Sequence, residues 1–570
     1  MKNLCHLLSG LLLLAAGPVR AQAPLQAAQT ISLGDKGSLA GTLSLPNHNV
    51  LLLLTDVVSL DITAQCLGPD GRTLWKTTLT RYQRLADRGV GLFDTRRIAL
   101  GGDVKAEKQL KKDKVAARLD PVNVLTDGNE VVLAEYLGDV KSLNKAGATP
   151  LREDQVFVQR LDEQGRLTKF LFEPRPAPDS KKVWTETLGR YADANGFVQV
   201  LRETDRRDKT VAFYAVHYDL SAKTVRREPL ELPATPAPIG SMSKFRYWYQ
   251  DWAYLGHRPN QTYFCRRTLV GAPKDKPGAQ PLAYQVHIAD DRGAPAGGFR
   301  TTLDLNKGTQ AAYSGAMRST GELYHIPDNY TPSGSNFTYD GWQTTTGGFG
   351  SFYLDYPTGD VLIYGEYCEG SLPGELDKDL LGYFERRYAA DGRVLAQVQG
   401  PYSAAMRDKK KRLSFKGYLY RQTRFHLDPL TGQSQYSFSP LQLAGPGAFS
   451  RSFEPQHLYG ESDDFDLLMD RDLKPLRYDF LPGKDRDDRT YTAVAYPQPF
   501  KLTNRADEIR LYEHAAKDDH PVYAALEKKR RTAGPDAPDH WFYLSPTSPA
   551  TGLVVEQKQA LGGQLQVYTF

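Results

Sequence analysis

An all-β, antiparallel fold is what this sequence predicts, and three observations predict it. The chain of 570 residues carries 32 Tyr, 49 Gly and 36 Pro. It has few long runs with the 3.6-residue period of a helix, and short runs of β-branched and aromatic residues alternate with turn signals along its whole length. A chain of this size equals three or four ordinary domains at about 150 residues each. Its texture is nevertheless uniform, which favours one small unit repeated many times.

The repeated unit is visible as a hairpin. It occurs at ITAQCLGPDGRTLW (62–75), VFVQRLDEQGRLTKF (156–170), FYAVHYDLSAKTVRR (213–227), AYQVHIADDRGAPAGGF (283–299), YFERRYAADGRVLAQ (383–397), TRFHLDPLTGQSQYSF (423–438), FDLLMDRDLKPLRYDF (465–480) and HWFYLSPTSPATGLVV (540–555). In each, an alternating apolar run meets an Asp/Gly/Pro turn and a second alternating run follows. Asp and Gly recur there because such turns need positive φ or a side chain that hydrogen-bonds the backbone.

A second element precedes many of these hairpins: an apolar strand that ends in an acid. The acids are Asp56, Glu135, Glu203, Glu366, Glu461 and Glu513, in LLLLTD, VLAEY, VQVLRE, LIYGEY, HLYGES and IRLYEH. In two units the matching place is basic, as in TYFCRR (262–267) and YLYRQ (418–422). The mean spacing of the repeat is roughly 69 residues, longer than compact blade repeats of about 40 to 50. The excess is assigned to loops.

A unit of about four short strands cannot bury both of its faces alone, so seven or eight in tandem must stack on one another. Radial stacking also removes exposed sheet edges. On these hairpins and their count, residues 30–570 resemble the β-propeller superfamily, with seven to eight four-stranded antiparallel blades and no WD dipeptide. In propellers of the WD type an acid in a hairpin turn has a structural job, and the resemblance carries this over in kind. The closing QLQVYTF (564–570) is expected to pair with an early strand such as TISLG (30–34). Two packed β-sandwich domains are the competing architecture.

The first residues have the form of an export signal. Lys2 supplies a positive start, LLSGLLLLAAG (7–17) a short apolar core, and Ala21-Gln22-Ala23 the small residues of a cleavage site. The expected organisation is a signal peptide over 1–23 and a single repeat domain over 24–570. Cys5 precedes the apolar core, so it is not placed for lipid attachment after it. The core is too short to span a bilayer, and no later run approaches the roughly 20 apolar residues that a span needs. A periplasmic or extracellular, soluble product is therefore expected.

Removing residues 1–23 takes Lys2 and Arg20 out of the 72 basic residues and no acid, so 70 basic residues face 67 acidic ones. Nucleic-acid binders concentrate positive charge on one face. Here the basic runs are local, KAEKQLKKDK (105–114), RDKKKR (407–412) and EKKRR (527–531), and are read as solvated surface. No nucleic-acid partner is expected. Cys66, Cys265 and Cys368 are too few and too scattered for a disulfide framework or a CxxC metal site.

No motif anchors catalysis. HExxH, an EF-hand loop, a Walker GxxxxGK[ST] and a GxSxG elbow are all missing from the sequence, so neither a metal nor a cofactor is expected. His217, His287 and His426 hold matching places in their hairpins, where Arg160, Arg387 and Cys66 stand in other units. Residues so related lie apart, whereas zinc needs its ligands within about 2.3 Å of one point. The six strand-end acids have two readings. They can ring one face and recruit a cation or a basic partner, or each can serve its own unit by accepting turn N–H groups or pairing with Arg.

Two aromatic groups are the binding candidates. In FRYWYQDWAY (245–254), Phe245 and Tyr247 fit a buried strand face, because alternate residues share a face. Trp248 sits among polar neighbours and Trp252 follows Asp251 near a turn expected at Gly256, and these two are expected to be exposed. The polar insertion over 308–350 is rich in Gly, Ser, Thr, Asn and Tyr, and its contact residues would be Tyr330, Tyr339 and Trp342. A loop of that length is either functional or without structure of its own. The functional expectation is an exported, non-catalytic binding or scaffold module for a glycan, a peptide or an envelope partner. The alternative is a carbohydrate-active hydrolase or lyase that uses carboxylates on the ring face.

Overall fold

The computed structural model describes residues 25–35, 37–56, 62–79, 122–137, 155–173, 183–205, 210–234, 252–269, 282–303, 309–311, 352–355, 358–369, 380–401, 419–427, 434–442, 464–470, 472–481, 491–494, 500–502, 510–512, 521–533, 541–548, 550–558 and 562–570. These form sheets that are antiparallel except where β27 meets β30, and one helix, an all-β, propeller-like fold. Strand β1 (Gln26–Ser32) comes first in the chain. Sheet 1 is β2 (Gly37–Ser44), β3 (Val50–Asp56), β4 (Ile62–Leu67) and β5 (Thr73–Leu79). Sheet 2 is β6 (Val122–Asp127), β7 (Glu130–Leu137), β8 (Gln155–Leu161) and β9 (Leu167–Phe172). Sheet 3 is β10 (Val183–Asp193), β11 (Gly196–Asp205), β12 (Thr210–Asp219) and β13 (Thr224–Pro229), and sheet 4 is β14 (Ala253–Arg258), β15 (Gln261–Leu269), β16 (Leu282–Ala289) and β17 (Pro295–Thr302).

In sheet 5, β18 (Thr309–Ala311) and β19 (Phe352–Leu354) both pair with β20 (Val361–Glu369), which is followed by β21 (Leu380–Tyr388) and β22 (Val394–Pro401). Sheet 6 is β23 (Leu419–Leu427), β24 (Ser434–Gln442), β25 (Asp464–Met469) and β26 (Pro475–Leu481). Three short strands follow: β27 (Tyr491–Val494), β28 (Phe500–Leu502) and β29 (Arg510–Tyr512). After the helix α1 (Pro521–Ala533) come β30 (Trp541–Ser548), β31 (Thr551–Gln557) and β32 (Gln564–Thr569) of sheet 7.

All eight hairpins of the sequence are found as paired strands. They do not mark eight units, however. The segments 423–438 and 465–480 lie side by side in sheet 6, joined through β24 and β25. The described residues therefore form seven sheets. The expected closure is present: Thr30 pairs with Gln566, Ile31 with Leu565 and Ser32 with Gln564, which makes β1 the outer strand of sheet 7.

Alternation explains how the sheets stack. In β3, Leu51 and Leu53 join a core shared with Val124, Val131, Leu133 and Leu161 of sheet 2. Val50, Leu52 and Leu54 join a core shared with Leu553, Val555, Leu565 and Val567 of sheet 7. Sheets 2 and 3 share a core around Val158, Phe172, Phe197 and Tyr218. Sheets 3 and 4 share one around Val198, Val200, Trp252 and Phe264, and sheets 4 and 5 one around Tyr263, Val286, Ile363 and Phe384. A β-sandwich buries one face of each sheet, whereas sheets 1 to 4 bury both. The competing two-sandwich arrangement is thus not the one observed. Helix α1 places Val522 and Leu526 on sheet 7 beside Phe542, Leu544 and Val554.

In sheets 1, 2, 4, 5 and 6 the turns between third and fourth strands share one backbone geometry. In the turn from Asp162 to Arg166, the Gly165 N–H donates to the Asp162 carbonyl at 2.9 Å and Gly165 has φ 75°. Asp162 Oδ1 accepts the Gln164 and Arg166 amides, each at 2.9 Å. Asp290 and Asp470 do the same in their turns, and Leu473 takes the positive-φ place at 63°. Four of these turns seat on the outer strand of the sheet before them, Gly71 on Ala28, Gly165 on Trp75, Gly293 on Pro229 and Gly392 on Phe299. The first strands approach one another across sheet boundaries, β30 with β2, β6 with β10, β10 with β14 and β14 with β19, and so define an inner side.

Candidate functional site

Charged groups gather where the turn ends of sheets 2, 3 and 4 meet. Arg160 comes from β8, where alternation puts Val156 and Val158 into the core shared with sheet 3 and carries Arg160 out to the rim of that same face. Its guanidinium pairs with Glu130 and lies 3.4 Å from Asp127, both at the β6–β7 turn of its own sheet. It also donates to the Ala194 carbonyl of sheet 3 at 2.6 Å. One cation thus ties two sheets together.

The next layer is built on His217 of β12, whose side chain is 5% exposed. Its Nδ1 lies 3.4 Å from Asp193 Oδ2 and its Nε2 3.5 Å from Glu228 Oε2, so the imidazole sits between two carboxylates. Glu228 also pairs with Arg226 at 2.9 Å. Burial works against ionisation of Asp193, but hydrogen bonds from His217 and from the Asn195 and Gly196 amides outweigh it and hold the carboxyl below its ordinary range. Asp291, from the β16–β17 turn, goes the other way: burial first, then the Asp193 carboxylate, raise it. Its Oδ1 is buried with no hydrogen-bond partner.

Behind this layer His257 stacks on Tyr191, ring centroids 3.7 Å apart and planes within 8°, with Nδ1 3.1 Å from Thr262 Oγ1. Burial pushes His257 down to about 3, so it is neutral across the physiological range. A carboxylate held low, and a second held high in the field of the first, is the pattern that separates a base from an acid. The same groups also hold backbone turns together, a structural role. Among the described residues no three His, Cys, Asp or Glu converge as ligands for a metal ion.

The strand-end acids divide. Glu203 pairs with Arg227 at 2.6 Å, which fits the structural reading, and that guanidinium also lies 3.6 Å from the centre of the Tyr214 ring. Glu135 is 1% exposed within β7. The turn amides are taken by other acids, Asp162, Asp290 and Asp470 among them. Asp56 and Glu366 lie on β3 and β20, with side chains outside the described residues, as are Glu461 and Glu513 altogether.

Trp252 is a correction. Expected at the surface, it is 2% exposed. Its Nε1 donates to the Pro233 carbonyl at 2.8 Å, and the Arg266 guanidinium lies 4.1 Å from its ring centre. Asp251 beside it suggested exposure, but the connector from sheet 3 folds over the indole and satisfies its one donor. Trp248, Phe245, Tyr247, Tyr330, Tyr339 and Trp342 lie outside the described residues.

The polar junction itself escaped the sequence reading. Asp193 stands in Asp193-Ala194-Asn195-Gly196, a turn signal within a further hairpin, β10–β11, and His217 and Arg160 were placed only as matching hairpin positions. The available signal was that three neighbouring units carry a charged or titratable residue just before the turn.

No protein-family model matches the chain, and the search of curated proteins finds no match. Among solved structures, the chain is similar to prolyl oligopeptidase B from Galerina marginata at 8% identity, over 81% of this chain and 53% of that one, with a TM-score of 0.26. The chain thus spans about half the length of that protein. It is also similar to the β-propeller domain of the Trilobed protease from Pyrococcus furiosus at 7% identity, over 79% and 94%, with a TM-score of 0.25. A protein of unknown function from Dyadobacter fermentans matches at 9% identity over 79% and 94%, with a TM-score of 0.23.

Proposed function

We propose that this chain is an exported, non-catalytic binding or scaffold module, with loop aromatics that contact a glycan, a peptide or an envelope partner. The supporting observation is how the polar insertion is rooted. Near its start, Ala311 pairs with Tyr367; just after it, Phe352 pairs with Ile363, so both ends lie on one edge of β20. The two anchor points on β20 are four residue steps apart, about 13 Å. A loop held at both feet on a sheet with a buried face is a fit platform for contact residues. Tyr330, Tyr339 and Trp342 are the proposed contacts within it, with Trp248 as a second patch.

A glycan array and a pull-down with the mature protein test this reading. Trp342→Ala is expected to weaken capture by about tenfold or more, the loss that follows removal of an aromatic anchor. Unchanged capture in the Trp342→Ala and Tyr339→Ala variants would remove these residues from the site. Export predicts a secreted product whose first residue is Pro24, read by N-terminal sequencing. Among the described residues no helix is long and apolar enough to cross a membrane.

A second reading, a carbohydrate-active hydrolase or lyase, is favoured by the His217 imidazole held between the Asp193 and Glu228 carboxylates. Activity on a polysaccharide panel that disappears in Asp193→Asn would support it; a panel without turnover would leave the binding reading alone.

A further inference from the structure

The strand that closes sheet 7 is held differently from the outer strands of sheets 1, 2, 4 and 5. Strands β5, β9, β17 and β22 each follow their neighbour through a tight turn, so the chain itself keeps them in place. Strand β1 pairs instead with β32, from the far end of the sequence: Thr30 stands opposite Gln566 and Ser32 opposite Gln564. Its attachment to sheet 7 is non-covalent along its whole length, and the connector 33–36 joins it to β2.

The docking of β1 is shallow. Four of its seven residues are exposed and only Ile31 is buried, whereas β11 buries seven of its ten. Ala28 and Leu33 pack partly against the core beside Ile31. The ladder is interrupted by a bulge between Ala27 and Gln29, and among the described residues the buried Gln29 Nε2 has no hydrogen-bond partner. A strand with one deep anchor and an unserved donor opens at less cost than the body of the fold.

The connector doubles back sharply. Gly34 has φ 69°, the Leu33 N–H donates to the Gly563 carbonyl at 3.1 Å, and a Cβ on Gly37 would collide with the Leu33 carbonyl. Short, tight hinges favour exchange, because the same strand can be donated straight across to another copy with the bend relieved. The edge of β32 that β1 covers already recognises that sequence. Gln566 accepts the Thr30 hydroxyl at Oε1 and donates through Nε2 to the Gln29 carbonyl.

We propose that β1 is an exchangeable strand and that the outer edge of β32 is the docking surface for the β1 of a second copy of this chain. Two copies donate β1 to each other in the register seen within one chain, the reciprocal contact of a two-fold dimer. The paired residues are the same in both forms, so the balance between monomer and dimer is set by the connector and by protein concentration. The surface uses none of the insertion aromatics and no residue of the junction of sheets 2, 3 and 4.

The test mixes two full chains, one with Thr30→Cys and one with Gln566→Cys, warms them below the melting transition, cools them and oxidises. Opposed residues of antiparallel strands have Cα atoms about 4.5 to 5.5 Å apart, within reach of a disulfide. A disulfide between positions 30 and 566 of different chains is expected, read as a species of twice the chain mass that reductant removes. The mismatched mixture of Gln26→Cys with Gln566→Cys should give about tenfold less, because its thiols are not held opposite each other. No link between chains in the matched mixture, or equal yields from matched and mismatched mixtures, overturns the proposal. Deleting Gly34 and Asp35 leaves a connector too short to double back and should convert the chain to a dimer by light scattering. A folded monomer with this deletion overturns the proposal as well, and the mixing result decides it whether or not the deletion variant folds.

Discussion

Gly165 shows how much one residue decides. Its φ of 75° lies in the left-handed region, and a Cβ there would stand 2.5 Å from the Trp75 indole of the preceding sheet. That indole also donates to the Glu163 carbonyl at 2.8 Å, and Thr77 donates to the Gly165 carbonyl at 2.7 Å. Gly165→Ala therefore carries two costs, backbone strain of about 1 to 2 kcal/mol and displacement of a packed ring. Gly34 has φ 69° and open space around it. Gly34→Ala should cost only the strain. In denaturant titrations Gly165→Ala is expected to be the more destabilised of the two by about 1 kcal/mol or more, and equal midpoints would show that the turn does not bear on Trp75. The buried Trp252 teaches a related lesson, since a polar neighbour in the sequence says little once a connector carbonyl accepts the indole N–H.

Among elements, β1 is the most exposed to loss. Six of its residues pair with β32 across a bulge, yet only Ile31 is buried, at 6% exposure. Side-chain bonds help to hold it: Thr30 donates to Gln566 Oε1 at 2.8 Å, and Gln566 Nε2 donates to the Gln29 carbonyl at 3.0 Å. Ile31→Ala removes most of the buried apolar area and should cost about 2 to 4 kcal/mol locally. The expected readout is faster amide hydrogen exchange in β32, residues 564–569, while β11 and β12 stay protected. Unchanged exchange in β32 would mean that the strand is held by its backbone ladder alone. Helix α1 is pinned differently. Lys529 Nζ lies 2.9 Å from Tyr568 Oη, and the Tyr568 hydroxyl donates to Glu556 at 2.5 Å, so the basic run EKKRR contributes one cation to an internal contact.

Across the molecule, the shared cores make each of sheets 1 to 4 a wall of two rooms, and charge collects where those rooms end in solvent. At the junction of sheets 2, 3 and 4 the pH response has two signs. Asp193 is held low, so it contributes stability above the ordinary carboxylate range, and this is lost as pH falls through its folded value. Asp291 and Asp127 are held high, so they cost stability near neutral pH, and the cost is relieved as pH falls through their raised values. Asp291→Asn removes a charge that no hydrogen bond satisfies at Oδ1. It should stabilise the protein at pH 7, with the gain shrinking to nothing below about pH 4, where the unfolded carboxyl is itself protonated. Thermal melts across that range check it, and a gain that persisted in acid would assign the effect to packing instead.

The amino-acid sequence by itself determined the strand content, the eight hairpins with their Asp/Gly turns and the pairing of the two ends, because alternation and turn chemistry act over a few residues. It could not show that 423–438 and 465–480 share one sheet, since a hairpin looks the same whether it fills half a sheet or opens a new one. Only the tertiary structure decided which charged residues meet. Arg160, Asp193 and Asp291 stand in three different sheets, and their distances follow from how those sheets stack, which no local pattern encodes.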